Sequence, residues 1–296
     1  MVPLVLGTTL LVFGLGRLAP GDPVQILFGD LGDAAAIARA RAQLGLDRPL
    51  VEQYARFLGR LARLDLGVSY AYPGKPVGEL LAGAVWTSLM LGVLAVAVAL
   101  AIGLPLGIVA ALRPGTWVDR LARGVTLLGI AVPFFVVAAV LVLFFSLRLG
   151  WLPVSGWGQP RHLVLPVLVL MLRPMAYIMR VTRLAVSQIL VEDFIRTARA
   201  KGLGPGAIVL RHALRNAAIT IATTAGLSLS LAFTGAFVTE TIFAVPGMGR
   251  ATVTAILQRD YPTIQAVVML YTFLFLALNL VMDCLYAVLD PRVRYT

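Results

Sequence analysis

One cysteine, two histidines and fourteen acidic residues are spread through 296 positions, and each scarcity removes a class of function. Cys284 alone builds neither a disulfide framework nor a thiolate metal set. His162 and His212 are too far apart in the chain to share a metal, and no histidine lies near a spanning serine to form a hydrolytic set. No Walker-type glycine-rich phosphate loop occurs, so no nucleotide site of that kind is expected. Charged residues make up 13% of the chain, about half the share of a soluble domain.

What fills the chain instead is apolar. Hydrophobic residues account for 59% and mean hydropathy is +0.91. The sequence therefore reads as an all-α, polytopic membrane protein. Six stretches are near or above the roughly 20 apolar residues that cross about 30 Å of hydrocarbon. They run Val2–Ala19, Val85–Leu112, Leu121–Leu147, Leu163–Val186, Ala217–Val238 and Ile264–Leu289. The first lacks a basic leader and a small-residue cleavage site, so it reads as an anchor rather than a signal peptide.

The net charge of +11 would suit a nucleic-acid binder, but the basic residues gather in loops beside apolar spans, so no nucleic acid is expected. Placing the loops after spans 2 and 4 and the C-terminus on one side gives that side Arg113, Arg120, Arg123, Arg180, Arg183, Arg196, Arg199, Lys201, Arg211, Arg215, Arg292 and Arg294. The opposite short loops carry Arg148, Arg161, Arg250 and Arg259. The positive-inside asymmetry then puts both termini in the cytoplasm and the protein in the cytoplasmic membrane. The expected organisation is transmembrane helix 1 over residues 1–19, an extracytoplasmic helical segment over 20–84, a five-helix core over 85–289 and a cytoplasmic tail over 290–296. In the outer segment, Ala34–Leu44 reads as a helix ended by Gly45. Pro49 opens another that repeats Leu50, Tyr54, Phe57, Leu58 and Leu61 at helical spacing. Such a pair needs a cover for its apolar face, either the protein's own helices or a partner.

Between spans 4 and 5, residues 187–216 form a cytoplasmic loop with an unusual centre. Asp193 can cap a short helix, Gly202 can stop it in the left-handed conformation and Pro205 blocks its continuation. Phe194, Ile195 and Ala198 are expected to share one face while Arg196, Arg199 and Lys201 project elsewhere. A bare connector needs no such construction; a helix offered to a partner protein does. Attraction of the arginines to anionic lipid is the alternative role.

Several motifs in fixed order extend this reading. Arg17-Leu18-Ala19-Pro20-Gly21-Asp22-Pro23 follows the first span, and Gln43-Leu44-Gly45-Leu46-Asp47, Gln53-Tyr54 and Asp65-Leu66-Gly67 lie in the outer segment. Leu149-Gly150-Trp151-Leu152-Pro153, Asp193–Gly202 with His212–Asn216, Glu240-Thr241-Ile242-Phe243 with Pro246-Gly247, and Asp290-Pro291-Arg292-Val293-Arg294-Tyr295 complete the set. Over nearly its full length the chain resembles the membrane-spanning permease subunits of ABC importers for dipeptides, oligopeptides and nickel. The loop resembles that family's cytoplasmic motif of Glu-Ala-Ala, three residues, Gly, nine residues and Ile-x-Leu-Pro. Arg196, Thr197 and Ala198 hold the first places here, Gly202 the glycine, and His212, Ala213, Leu214 and Arg215 the last four. Arg196, Thr197, His212 and Arg215 depart from the general pattern and resemble the peptide and nickel branch.

The resemblance implies a six-helix permease that moves a peptide or similar small polar solute by alternating access and does no covalent chemistry. It implies coupling to a cytoplasmic ATPase through Phe194, Arg196, Thr197, Ala198, Arg199, Lys201, Gly202, His212 and Leu214. It also implies four partners: a second related permease, two ATP-binding subunits that carry ATP and magnesium, and an extracytoplasmic solute-binding protein. This chain itself would bind no cofactor.

Within the spans, Arg173 precedes Pro174 at mid-depth, where a charge costs about 2.5–3.5 kcal/mol on insertion scales and must face the interior or a watery cavity. It lines the translocation path or pairs structurally, for instance with Asp283. Thr223, Thr224, Ser228, Ser230 and Thr234 give span 5 a polar character suited to a path; Ser228, Ser230 and Thr234 join Arg173 as path candidates. The same hydroxyls can instead satisfy helix backbone in lipid. Gly103-Leu104-Pro105-Leu106-Gly107 offers a small-residue face for close helix packing, within the bundle or between copies. An intramembrane hydrolase is the rival from another class, but an Arg–Asp pair is a poor acid–base couple at neutral pH. A passive channel would leave the cytoplasmic helix without a task.

Overall fold

The computed structural model describes residues 2–18, 34–43 and 45–289. Most of them are helical, and the extended pairing among the described residues is one isolated antiparallel bridge, Val68 to Pro76. The helices are α1 (Val2–Leu18), α2 (Ala34–Gln43), α3 (Leu50–Ala62), α4 (Val77–Leu112), α5 (Trp117–Ala131), α6 (Phe134–Leu141), α7 (Pro160–Ile189) and α8 (Asp193–Ala200). They continue with α9 (Leu214–Ile242), α10 (Met248–Leu257) and α11 (Tyr261–Leu289). Two wide π-helical turns, Val142–Arg148 and Ile208–Ala213, extend α6 and lead into α9.

Among the described residues four helices are long and apolar enough to cross a bilayer: Val77–Leu112, Pro160–Ile189, Pro205–Phe233 and Tyr261–Cys284. The stretch read as one span, Leu121–Leu147, is built of α5 and α6 meeting at 110°. The cause is local. Pro133 has no N–H to donate back into α5, and its ring pushes Val132 out of the helical region to φ −83°, ψ 126°. The helix expected from Val85 already starts at Val77, and α10 was not expected. Residues 20–33 of the outer segment and the 290–296 tail lie outside the described residues.

The chain divides into two compact units. The first comprises Met1–Thr87 and Pro246–Leu276. Gly45 takes φ +67°, a left-handed turn that glycine adopts without strain, and Pro49 stands as N-cap of α3. The apolar face of α3 lies on α1: the tilted rings of Tyr54 and Phe57 pack against Phe13 with centroids 5.4 and 6.1 Å away, and the Tyr54 hydroxyl meets Thr9 Oγ1 at 2.8 Å. Buried Asp260 ties the 67–77 loop to the start of α11. Its carboxylate accepts from Ser69 Oγ (2.5 Å), Tyr70 N–H (2.9 Å) and Thr263 Oγ1 (2.7 Å).

The second unit comprises Ser88–Val245 and Ala277–Thr296, and α7 is its axis. Leu165, Val169, Leu170, Met175, Ile178 and Met179 of α7 are buried. Glycines on its neighbours let backbones approach. A Cβ at Gly103 or Gly107 of α4 would stand 2.9 or 2.7 Å from the carbonyl oxygens of Met175 and Met179. One at Gly129 of α5 would stand 2.8 Å from the Ala176 Cβ. The Gly103–Gly107 face is thus occupied by the chain's own α7, in keeping with packing inside the bundle. Inside this unit Glu240 is fully buried and accepts a hydrogen bond from Ser88 Oγ at 2.6 Å.

Candidate functional site

The polar segment between α7 and α9 forms a helix, α8, with a defined start and stop. Its N-cap is Glu192, whose side chain makes no capping bond; Asp193 is the first helical residue, not the cap. From there its carboxylate, 93% exposed, pairs with Arg196 at 3.2 Å. The charge still favours the positive end of the helix dipole. The stop is a Schellman motif: Gly202 N–H donates to Arg199 O (2.9 Å), Leu203 N–H donates to Ala198 O (3.2 Å), and Gly202 sits at φ +80°.

One stripe of α8 is buried. Ile195 and Ala198, three residues apart, pack against Ile208, with Ile189, Leu190 and Leu203 around them. These contacts seat α8 on the last turn of α7 and on the π-turn that leads into α9. Phe194 does not share that stripe; it is 44% exposed. Arg196, Thr197, Arg199, Lys201 and Gly202 are exposed as well, and Val191 (69%) and Leu210 (71%) add apolar surface beside them. His212 and Leu214 are half-buried, and Leu214 packs on the cluster of Ala111, Val186, Ala213 and Ala217. Of the nine expected coupling residues, six are therefore exposed, Ala198 is a seat and His212 and Leu214 belong to the root of α9.

Gly202→Val is expected to lower activity without unfolding the chain. No atom would meet the new Cβ within 4 Å, so the penalty is the left-handed φ, about 1–2 kcal/mol. It falls on the stop of α8 alone. A transport assay beside a thermal melt checks this; unimpaired transport would mean that the stop has no part in coupling.

Around Arg173 the structure pairs a charge with a ring. The guanidinium carbon stands 4.7 Å from the centroid of Phe134, the first residue of α6 after the bend. Ser228 is buried and Ser230 half-buried; the side chain of Thr234 lies outside the described ones. Among the described residues no hydrogen bond or ion pair joins Arg173 to Ser228 or Ser230. Thr223 and Thr224 donate to the carbonyls of Ile219 and Thr220 at 2.8 Å each, the backbone-satisfying role of a membrane hydroxyl.

A charged clamp was missed by the sequence reading. Asp119, on the first turn of α5 and almost wholly buried, accepts from Arg183 Nε of α7 (2.5 Å), Arg123 Nη2 (3.0 Å) and Gly115 N–H (3.0 Å). The spacing of Asp119 and Arg123 was a visible sign of a helix pair. The sixty-odd residues to Arg183 hid the rest.

Residues 103–295 match the family described as binding-protein-dependent transport system inner membrane component. The chain is 38% identical to a protein named as a peptide transport system permease in Brucella abortus (strain 2308), over 99% of this chain and 96% of that one. It is also 38% identical to the glutathione transport system permease protein of Escherichia coli O6:H1, over 100% and 96%. Its fold is similar to that of a chain in the inward facing MetNI methionine ABC transporter, with a TM-score of 0.61 and 19% identity over 71% of this chain and 96% of that one.

Proposed function

The chain belongs to the family of binding-protein-dependent transport system inner membrane components, and from that premise we propose that it forms half of a peptide path across the cytoplasmic membrane, opened and closed by partner ATPases. It is a permease subunit of an ABC importer and not an enzyme. Two relatives named for peptide and for glutathione, itself a tripeptide, support a short peptide as cargo. The observation that carries the coupling role is α8: a helix with a fixed stop, seated by Ile195 and Ala198 between α7 and α9, and facing outward with Phe194, Arg196, Arg199 and Lys201. A rigid element of this kind passes displacement to the helices it is rooted in, where a loose loop would absorb it.

The proposed arrangement has six crossings: α1, α4, the bent α5–α6 pair, α7, the Pro205–Ile242 stretch and α11. The arginine asymmetry supports placing both termini, the 187–216 loop and the 290–296 tail in the cytoplasm, and residues 20–84 outside. The complex would hold a second related permease, two ATP-binding subunits with ATP and magnesium, and a solute-binding protein. Orientation is checked in a Cys284→Ser background, where Glu52→Cys should react with an impermeant thiol reagent on intact cells. Gly204→Cys should react only after the membrane is opened. Labelling of Gly204→Cys from outside would sink the topology.

The function is tested by reconstitution. The chain alone should move no peptide; with its ATPases, sister permease and binding protein it should support uptake that stops when the ATPases' phosphate-loop lysines are removed. Solute flux through the isolated chain would favour a channel. Arg173→Ala in the same assembly should reduce uptake about tenfold with folded yield unchanged if the guanidinium faces the path. Loss of folded protein would instead mark its contact with Phe134 as structural, since a desolvated cation–π pair contributes about 2 kcal/mol.

A further inference from the structure

The unit formed by Met1–Thr87 and Pro246–Leu276 contains a cavity of about 690 Å³, within the range of about 300–1,000 Å³ typical of small-ligand sites. Its lining combines apolar and basic side chains with the polar Gln53, Ser69, Tyr70 and Gln265. Phe13 and Met269 are buried apolar residues of α1 and α11, and Phe57 of α3 lies beside Phe13. Arg56, Arg60 and Arg63, exposed residues on and just after α3, supply the charge. Arg56 is shared with Glu52 at 3.3 Å, but Arg60 and Arg63 have no ion pair among the described residues. Arg60 reaches over the Gly67 turn, its Nη1 3.8 Å from where a Cβ would stand. The acidic lining residue, Asp65, already accepts the Gly67 amide at 2.9 Å.

A cavity with an aromatic–thioether floor and guanidiniums at its edge matches an amphiphile: an anionic head for the arginines and a hydrocarbon tail for the floor. We infer that this cavity binds an anionic phospholipid, its phosphate held by Arg60 and Arg63 and an acyl chain lying along Phe13, Phe57 and Met269. The inference rests on the proposed membrane placement of α1 and α11, because their ends in the cavity then lie at headgroup depth. A peptide carboxylate would satisfy the arginines but needs no wall built from two membrane helices. The lipid would hold α3 against those helices, with guanidinium–phosphate pairs of the strong, charge-assisted kind.

The test is native mass spectrometry of the full chain purified in detergent and incubated with phosphatidylglycerol or phosphatidylcholine. The wild type should retain phosphatidylglycerol about tenfold more than phosphatidylcholine, and Arg60→Gln/Arg63→Gln should abolish that preference. The control Arg120→Gln/Arg211→Gln, which removes the same charge from the other unit, should leave it intact. Equal retention of the two lipids, an unchanged preference in the Arg60/Arg63 variant, or an equal loss in the control would each overturn the site. Displacement of phosphatidylglycerol by millimolar inorganic phosphate would overturn the lipid and assign a free anion. Retention is read without ATPases or uptake, so its failure is distinguishable from failure of the transport reading.

Discussion

Asp119→Ala is expected to remove most of the correctly folded protein, with a thermal midpoint lowered on the order of 10 °C in whatever survives purification. The carboxylate is almost wholly buried and answers three donors, two of them guanidiniums and one of those, Arg183, itself three-quarters buried on α7. Removing one partner of such a pair costs about 3–5 kcal/mol, because the remaining charge stays desolvated. Asp119→Asn keeps an oxygen for the Gly115 amide and should lie between alanine and wild type. The double variant Asp119→Ala/Arg183→Ala should recover part of the loss, since it also removes the stranded cation. Melting of detergent-purified protein, followed by tryptophan fluorescence, measures all four. A wild-type melt for Asp119→Ala would show that α5 and α7 are held by apolar contact alone.

Gly107→Leu should be comparably damaging for a steric reason. The first added carbon would stand 2.7 Å from the carbonyl oxygen of Met179 and 2.9 Å from the Thr182 Cβ, so two helix backbones must separate. Overpacking of this kind costs about 1–3 kcal/mol where the surroundings can shift, and more where the obstacle is backbone. Gly103 meets Met175 in the same way one turn earlier, and Gly103→Ala/Gly107→Ala should also fail. Gly124 of α5 is the control: nothing lies within 4 Å of its Cβ position, and alanine there should gain about 1 kcal/mol of helix propensity. Folded yield on size-exclusion chromatography separates the cases. A Gly107→Leu protein that elutes and melts like the parent would refute the close α4–α7 contact.

Much of this molecule follows from composition and period. Runs of apolar residues long enough to span hydrocarbon announce themselves, and the starts and stops of short helices are local chemistry. Gly45 and Gly202 were expected to end helices, and each takes a positive φ there because a terminal turn needs a left-handed residue that glycine supplies without strain. Pro49 at the head of α3 is equally local. The helical spacing of Tyr54 and Phe57 foretold an apolar face, and the family motif around Asp193–Gly202 pointed to the helix now seen as α8.

What tertiary structure alone decided depends on pairs distant in sequence. Nothing in Leu121–Leu147 distinguished a kink from a 110° turn: Pro133 removes one hydrogen bond, but how far the halves swing is set by what α5 and α6 pack against. Phe194 was expected to share a face with Ile195 and Ala198 and is exposed instead, because a two-turn helix has too few residues to fix its rotation; Ile208, beyond the glycine stop, fixes it. The partners of Asp119, Asp260 and Arg173 were equally hidden. A charge in an apolar chain must find a counter-charge, a donor or a ring, but only the folded chain brings Arg183, Ser69 and Phe134 within reach.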